Sequence, residues 1–225
     1  MQTNFSSSYS VLMSIYKKEN PAFLIQALDS MLNQTVSPAE IVMIKDGPLT
    51  HELEDVLQDY DFLHPGLFNF VSYEKNHGLG YVLRQGILAC SNEIVARMDT
   101  DDIARPDRME KQLAAIDSGL DMVGSDVIEF VTTPNEPVAA TDLPKGIDAY
   151  SKRRNPFRHP SMTFRKSKVM EAGNYSSDFL YFEDWDLFNR MLACGCKADN
   201  LKEPLVAMRV SGDFYARRGG SQYLK

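Results

Sequence analysis

Hydrophobic positions along the first half of the chain alternate between two periods. Ser10 to Tyr16 (SVLMSIY) is a short, nearly continuous apolar run of the length of a buried strand. Asn20 then offers a helix cap and Pro21 occupies a first helical position, where a missing N–H costs nothing. Leu24, Leu28, Met31 and Leu32 follow at helical spacing, which predicts a helix over Pro21 to Asn33. The alternation continues. Ile41 to Lys45 reads as a strand with Asp46-Gly47-Pro48 as its turn, and Glu52 to Tyr60 as a helix with acids in the first turn, where the dipole favours them. Leu67 to Tyr73 reads as a strand, Tyr81 to Cys90 as a helix, Glu93 to Met98 as a strand, Pro106 to Ser118 as a helix and Met122 to Val131 as a strand.

Strands separated by helices of this length imply right-handed βαβ crossovers and an α/β fold: a mainly parallel sheet with helices on both faces. The second half is less regular. Thr132 to Lys145 is broken by Pro134, Pro137 and Pro144 and reads as a surface loop. Ser161 to Phe164 has the makings of a strand, and Asp184 to Cys194 is an amphipathic helix with Phe188, Met191 and Leu192 on one side. One domain is expected over residues 1–225, with a ligand-binding first half at about 8–130 and a second half at about 131–215 that holds the other substrate.

The apolar share of 44% and charged share of 24% are those of an ordinary globular protein. The net charge of −7 argues against a nucleic-acid partner, since such proteins carry a basic face that displaces phosphate counterions. Cys90, Cys194 and Cys196 are odd in number and lack zinc-ligand spacing, so ordinary thiols in a reducing compartment are expected. No apolar run approaches the ~20 residues that span a bilayer. Met1 to Ser10 lacks the layout of a secretory signal. These features predict a cytoplasmic chain. The basic, glycine-rich stretch Ala216-Arg217-Arg218-Gly219-Gly220 suggests a tail continuing beyond Lys225.

In open α/β sheets ligands bind beyond the carboxyl ends of the strands. Three such ends carry candidate chemistry: Tyr16-Lys17-Lys18-Glu19, Lys45-Asp46-Gly47 and Asp99-Thr100-Asp101-Asp102. Carboxylates are hard oxygen ligands suited to Mg²⁺ or Mn²⁺. Asp-x-Asp alone is a weak signal, and Asp59-Tyr60-Asp61 and Asp184-Trp185-Asp186 repeat it. Position singles out Asp99 to Asp102, because Asp59 and Asp61 end an amphipathic helix with a solvated face. Arg84, Arg97 and the Arg217-Arg218 pair are candidate phosphate contacts. Asn76-His77-Gly78-Leu79-Gly80 is a glycine-rich loop without the spacing of a dinucleotide fingerprint, and no phosphate-binding loop of the Gly-x-x-x-x-Gly-Lys type occurs. His159, before Pro160, is open between packing and binding, and Trp185 between core and a platform for a sugar. Glu183-Asp184 precedes the amphipathic helix, where a carboxylate serves as a cap or, if a cleft opens there, as a base.

The chain resembles the inverting glycosyltransferases of family 2, the bacterial exopolysaccharide, capsule and O-antigen enzymes in particular. The likeness runs in order through Ser10 to Tyr16, Leu28 to Thr35, Lys45 to Pro48, Asn76 to Leu79, Ala96 to Asp102, Arg105 to Arg108, His159 to Arg165 and Glu183-Asp184. It implies the GT-A fold, a UDP-sugar as nucleotide-diphospho-sugar donor with galactose, N-acetylated and glucose-type sugars all open, Mn²⁺ or Mg²⁺ as cofactor, and a glycan or lipid-linked acceptor met peripherally at the inner membrane face. By position, Asp46 resembles the acid that reads the base, and the Tyr16 to Glu19 loop lies against the nucleoside. Asp99 faces the donor's ribose or sugar, Asp101 with Asp102 forms the metal-binding end, and Asp184 is the catalytic base. Asn76, Arg97, His159, Glu183 and Trp185 fall within or beside the matching stretches and are carried as substrate-binding residues. Two positions depart from the pattern: Arg84 where relatives carry Asn, and Arg209-Val-Ser211-Gly212 where many carry Arg-x-His. A sugar-nucleotide nucleotidylyltransferase would share the sheet and the metal, but it wants a glycine-rich loop where Tyr16-Lys17-Lys18 stands. A non-enzymatic α/β module would need no nucleotide at all.

Overall fold

The computed structural model describes residues 8–144, 146–179 and 181–210. The stretches Arg217-Arg218 and Ser211-Gly212, and the expected tail, lie outside them. In chain order the elements are β1 (Tyr9–Ile15), α1 (Pro21–Leu32), β2 (Glu40–Lys45), α2 (His51–Leu63), β3 (Phe68–Ser72), α3 (Leu79–Ala89), β4 (Ile94–Arg97), β5 (Ile103–Ala104), α4 (Arg108–Asp117), β6 (Met122–Phe130), β7 (Pro137–Ala140), α5 (Ile147–Ser151), β8 (Thr163–Arg165), α6 (Lys166–Glu171), α7 (Glu183–Ala193) and β9 (Ala198–Arg209).

The strands join in one sheet of order β3-β2-β1-β4-β8-β6-β9-β5, with β7 paired to β6. β3, β2, β1 and β4 run parallel, so the carboxyl ends of all four lie along one edge. β8 is antiparallel to both β4 and β6, while β6 and β9 are parallel. Period-two alternation divides the strand residues between two cores. Val11, Met13, Ile41, Met43 and Ala96 pack with α1, α2 and α4 on one face. Leu12, Val42, Ile44 and Val95 pack with α3, α6 and α7 on the other. This two-sided burial is why the strands read as continuous apolar runs.

The Asn20 cap falls where the residues predict, and α2 has a cap the sequence reading did not name. Helix α7 is entered through Phe182 with no side-chain cap, so Asp184 is not its cap. Asn20 accepts from the Ala22 N–H at 2.9 Å, and the side chain of Thr50 caps α2. The second half departs from its reading. The stretch expected to be loop contains β7, whose Pro137 stands opposite Phe130 on a short outer strand, where a missing donor is tolerated. β9 is the longest strand among the described residues and is absent from the periodicity reading. Its Lys-Glu-Pro interruption breaks the alternation, and the register against β6 shifts where Asp126 meets Pro204. The Arg105-Pro-Asp-Arg108 stretch proves architectural. Arg105 pairs with Asp107 and Glu203, and fully buried Arg108 donates to the Arg97 carbonyl at 2.8 Å and to Gln112 at 2.9 Å, tying α4 to β4. No helix among the described residues is long and apolar enough to cross a membrane.

Candidate active site at the strand ends

β1 lies between β2 and β4, so the three acidic strand ends converge without any long connection. At the end of β1, Tyr16 is exposed and Glu19 accepts from the Thr100 hydroxyl at 2.6 Å, which joins that loop to the acids after β4. At the end of β2, Asp46 is buried. It accepts from Asn76 Nδ2 at 2.8 Å, the His77 N–H at 2.7 Å and the Gly78 N–H at 3.1 Å. Asp46 therefore holds the glycine-rich loop against its own strand. Gly47, at φ 90°, stands so close beneath that loop that a Cβ would lie 3.0 Å from the Asn76 nitrogen.

The Asp99 to Asp102 run is a crowded set of carboxylates. Arg97 is fully buried beneath it and ion-pairs with Asp99, while its Nε has no partner. Burial, with Asp99 and then Glu19 nearby, pushes Asp101 up to about 7. Asp102 is buried, and burial followed by Asp99 and Asp101 raises it well above the usual carboxylate range. Its Oδ1 accepts from the Arg209 N–H at 2.7 Å, but Oδ2 is buried without a partner. An orphaned carboxylate oxygen beside mutually repelling acids suits a hard divalent cation. The described residues contain no group of three or more protein ligands for a metal.

Across from these acids, α7 begins at Glu183. Phe182, at φ 69°, turns the chain into the helix. Glu183 is buried, and burial, with Asp184 and Asp99 adding to it, raises its carboxyl to about 7. Asp184 is more open. Its Oδ2 accepts from Asn155 Nδ2 at 2.7 Å and its Oδ1 from the Trp185 N–H at 2.7 Å. Trp185 is half-buried and donates Nε1 to the Ser151 carbonyl at 2.8 Å. His159 shares a 2.8 Å hydrogen bond with the hydroxyl of Tyr175, whose ring is fully buried. Burial raises the Tyr175 hydroxyl above its ordinary range, with Arg97 opposing and Asp184, Glu183 and Asp99 adding to the shift.

The fold thus gathers Glu19, Asp99, Asp101 and Asp102 on one side and Glu183 and Asp184 on the other, with Asp46 and Asn76 at the neighbouring strand end. It does not bring Arg84 to them, because that guanidinium donates to the carbonyls of Gly173 and Tyr175 at 3.1 and 3.0 Å. Thr100, Asn155 and Tyr175 also belong to the site, without a signal of their own in the sequence. Thr100 lies inside the acidic run. Asn155 and Tyr175 lie in irregular segments with no periodic signal, and only contact reveals them.

A mostly parallel sheet with acidic residues gathered at its carboxyl edge is the arrangement of a nucleotide-binding α/β fold, and the family match makes that fold GT-A. Residues 10–173 match the glycosyl transferase family 2, and the chain belongs to that family. It is 40% identical over 220 residues to the Escherichia coli UDP-Gal:alpha-D-GlcNAc-diphosphoundecaprenol beta-1,3-galactosyltransferase, covering 96% of this chain and 78% of that one. It is 39% identical over 220 residues to the amylovoran biosynthesis glycosyltransferase AmsE of Erwinia amylovora, covering 96% and 82%. The crystal structure of S. aureus TarS superposes with a TM-score of 0.69 at 17% identity. That match covers 93% of this chain but only 38% of TarS, and it bears on the fold alone.

Proposed function

We propose that this glycosyltransferase moves galactose from UDP-galactose, with inversion, to a sugar linked through diphosphate to a lipid, as a step in surface-polysaccharide synthesis. The observation that carries the reading is the placement of Asp184. It sits in the first turn of α7, where Asn155 and the Trp185 N–H orient its carboxylate directly after buried Glu183. The names of the relatives support the donor and the acceptor.

Asp101 and the free Oδ2 of Asp102 would hold Mn²⁺ or Mg²⁺, which when bound neutralises the charge of a departing diphosphate. Asp99, fixed by Arg97, faces the donor sugar. Asp46 and Asn76 shape the nucleoside end together with Tyr16 and Glu19. Asp184 takes the proton from the acceptor hydroxyl as the hydroxyl attacks the anomeric carbon from the side opposite the diphosphate, and a single displacement inverts that centre. Buried Glu183 braces the turn that presents Asp184, and Trp185 and His159 line the acceptor side. A lipid-linked acceptor places the work at a membrane surface, with the domain in contact peripherally on the cytoplasmic side.

A hydrolysis screen of nucleotide sugars with Mn²⁺ tests the donor, with UDP-galactose the expected substrate. Asp184→Asn is expected to lower kcat by about 10² to 10⁴ while UDP affinity stays at the parent value. Near-normal transfer by that variant, or a product that keeps the donor's anomeric configuration, would sink the mechanism. EDTA and Asp101→Ala are each expected to weaken UDP binding in calorimetry, and unchanged binding in both would remove the metal from these acids.

A further inference from the structure

A concave patch formed by Pro144, Gly146, Ala149, Tyr150, Arg153 and Arg154 lies beside the residues described so far. Two hydrogen bonds clamp its base to the start of α7. The carbonyl of Ser151 accepts from Trp185 Nε1, and Asn155, immediately after Arg154, donates to Asp184. Ser151 is buried, so α5 and the turn after it are fixed to the helix that carries the candidate base.

The charge here runs against that of the molecule. The chain carries a net −7, yet Lys152, Arg153 and Arg154 are three consecutive exposed cations. Elsewhere Arg105 and Arg190 pair with carboxylates, and Arg97 and Arg209 are engaged around the acidic run. The guanidinium groups of Arg153 and Arg154 make no hydrogen bond or ion pair among the described residues. Two unpaired arginines in a concavity suit a ligand with several anionic oxygens, because the planar guanidinium meets phosphate through paired N–H donors. Chain geometry limits the separation from the base. At ~3.3–3.6 Å per residue, Arg153 lies within about 7 Å of Asn155 along the backbone.

We propose that Arg153 and Arg154 form a subsite for the diphosphate of the acceptor, separate from the donor's diphosphate at the acidic run, so that the acceptor's first sugar spans from this patch to Asp184. The proposal rests on the acceptor reading given above. It assigns the acceptor's anion to α5 and the turn after it, and the donor's anion to the strand ends.

The test compares the parent with Arg153→Gln/Arg154→Gln on two acceptors carrying the same sugar, one a lipid diphosphate and one an alkyl glycoside without phosphate. For the diphosphate acceptor KM is expected to rise about tenfold to a hundredfold, as removal of charge-assisted hydrogen bonds implies, so the parent's preference for it over the alkyl glycoside collapses. UDP affinity, read by calorimetry with Mn²⁺, is expected to stay at the parent value. Arg153→Lys/Arg154→Lys keeps the charge without the fork and is expected to fall between the two, and this second variant keeps the test decisive if the first melts early. A preference that survives in both variants overturns the subsite, as does an equal loss on both acceptors. A loss of UDP affinity would move the donor's diphosphate to this patch and overturn it as well. A parent that hydrolyses a UDP-sugar but uses neither acceptor overturns the acceptor reading and the subsite together, while leaving the donor reading standing.

Discussion

Glu183 and Asp184 are neighbours in the chain with different surroundings. Glu183 is buried, and its proton is held to about pH 7, whereas Asp184 is half-open and bonded to Asn155. The shift of Glu183 carries a stability cost whose sign is definite. Below its ordinary value of 4.5 the group is protonated whether the chain is folded or not. Between there and about 7 the unfolded chain releases the proton while the folded one keeps it, so stability falls as pH rises, and above about 7 the cost is complete. Glu183→Gln is therefore expected to match the parent near pH 4 and to exceed it by on the order of 1–3 kcal/mol at pH 8. Denaturant melts at both values in EDTA would show it, and a difference that ignores pH would discard this account. Both residues were legible as an acidic pair before an amphipathic helix. Which of them is buried was not, because burial of Glu183 depends on α3 packing against it.

That packing is a matter between elements. Gly80, in the first turn of α3, meets the segment before α7 so closely that a Cβ would lie 2.3 Å from the Ser176 carbonyl oxygen and 3.4 Å from Glu183 Cβ. The obstacle is backbone, so Gly80→Ala must displace the approach to α7. It is expected to cost about 1–3 kcal/mol and to lower kcat, because Glu183 and Asp184 shift with it. UDP affinity is expected to hold, since Asp46 grips the loop through residues 76–78, ahead of the substitution. Thermal melts and calorimetry on one preparation check both parts, and unchanged stability would show that the approach is looser than drawn. The glycine-rich loop was readable as a turn before a helix, but its tie to Asp46 was not, because the two meet only after β2 and β3 pair. The strands of the second half escaped for a similar reason. β7 and β9 contain prolines that break the alternating pattern, and pairing makes them strands, with β6 for both and with β5 as well for β9.

Across the whole molecule, the last described strand closes the site. The Arg209 N–H reaches Asp102 across 107 residues, and its guanidinium donates to the Asp101 carbonyl at 3.0 Å and to Gln26 at 2.6 Å. It also lies 3.8 Å from the centre of the Phe23 ring and 4.5 Å from that of Phe130. Arg209→Ala removes these side-chain contacts but keeps the backbone bond to Asp102. The expected loss is about 1–3 kcal/mol of stability, together with weaker UDP binding in Mn²⁺, as the turn holding Asp101 loosens. Parent-like melting in that variant would show that β9 pairing alone sets the acids. Period, capping and turn chemistry act within a few residues, and so the parallel α/β half, the Asn20 cap, the acids at three strand ends and the acidic pair before α7 were all readable along the chain. Folding was needed for Asp46 to grip the glycine-rich loop, for Arg97 to lie beneath Asp99, for one oxygen of Asp102 to be left unpaired and for Asn155 to orient Asp184. Each of those contacts joins distant segments or depends on exclusion of water, and both arise only when the two cores close around the sheet.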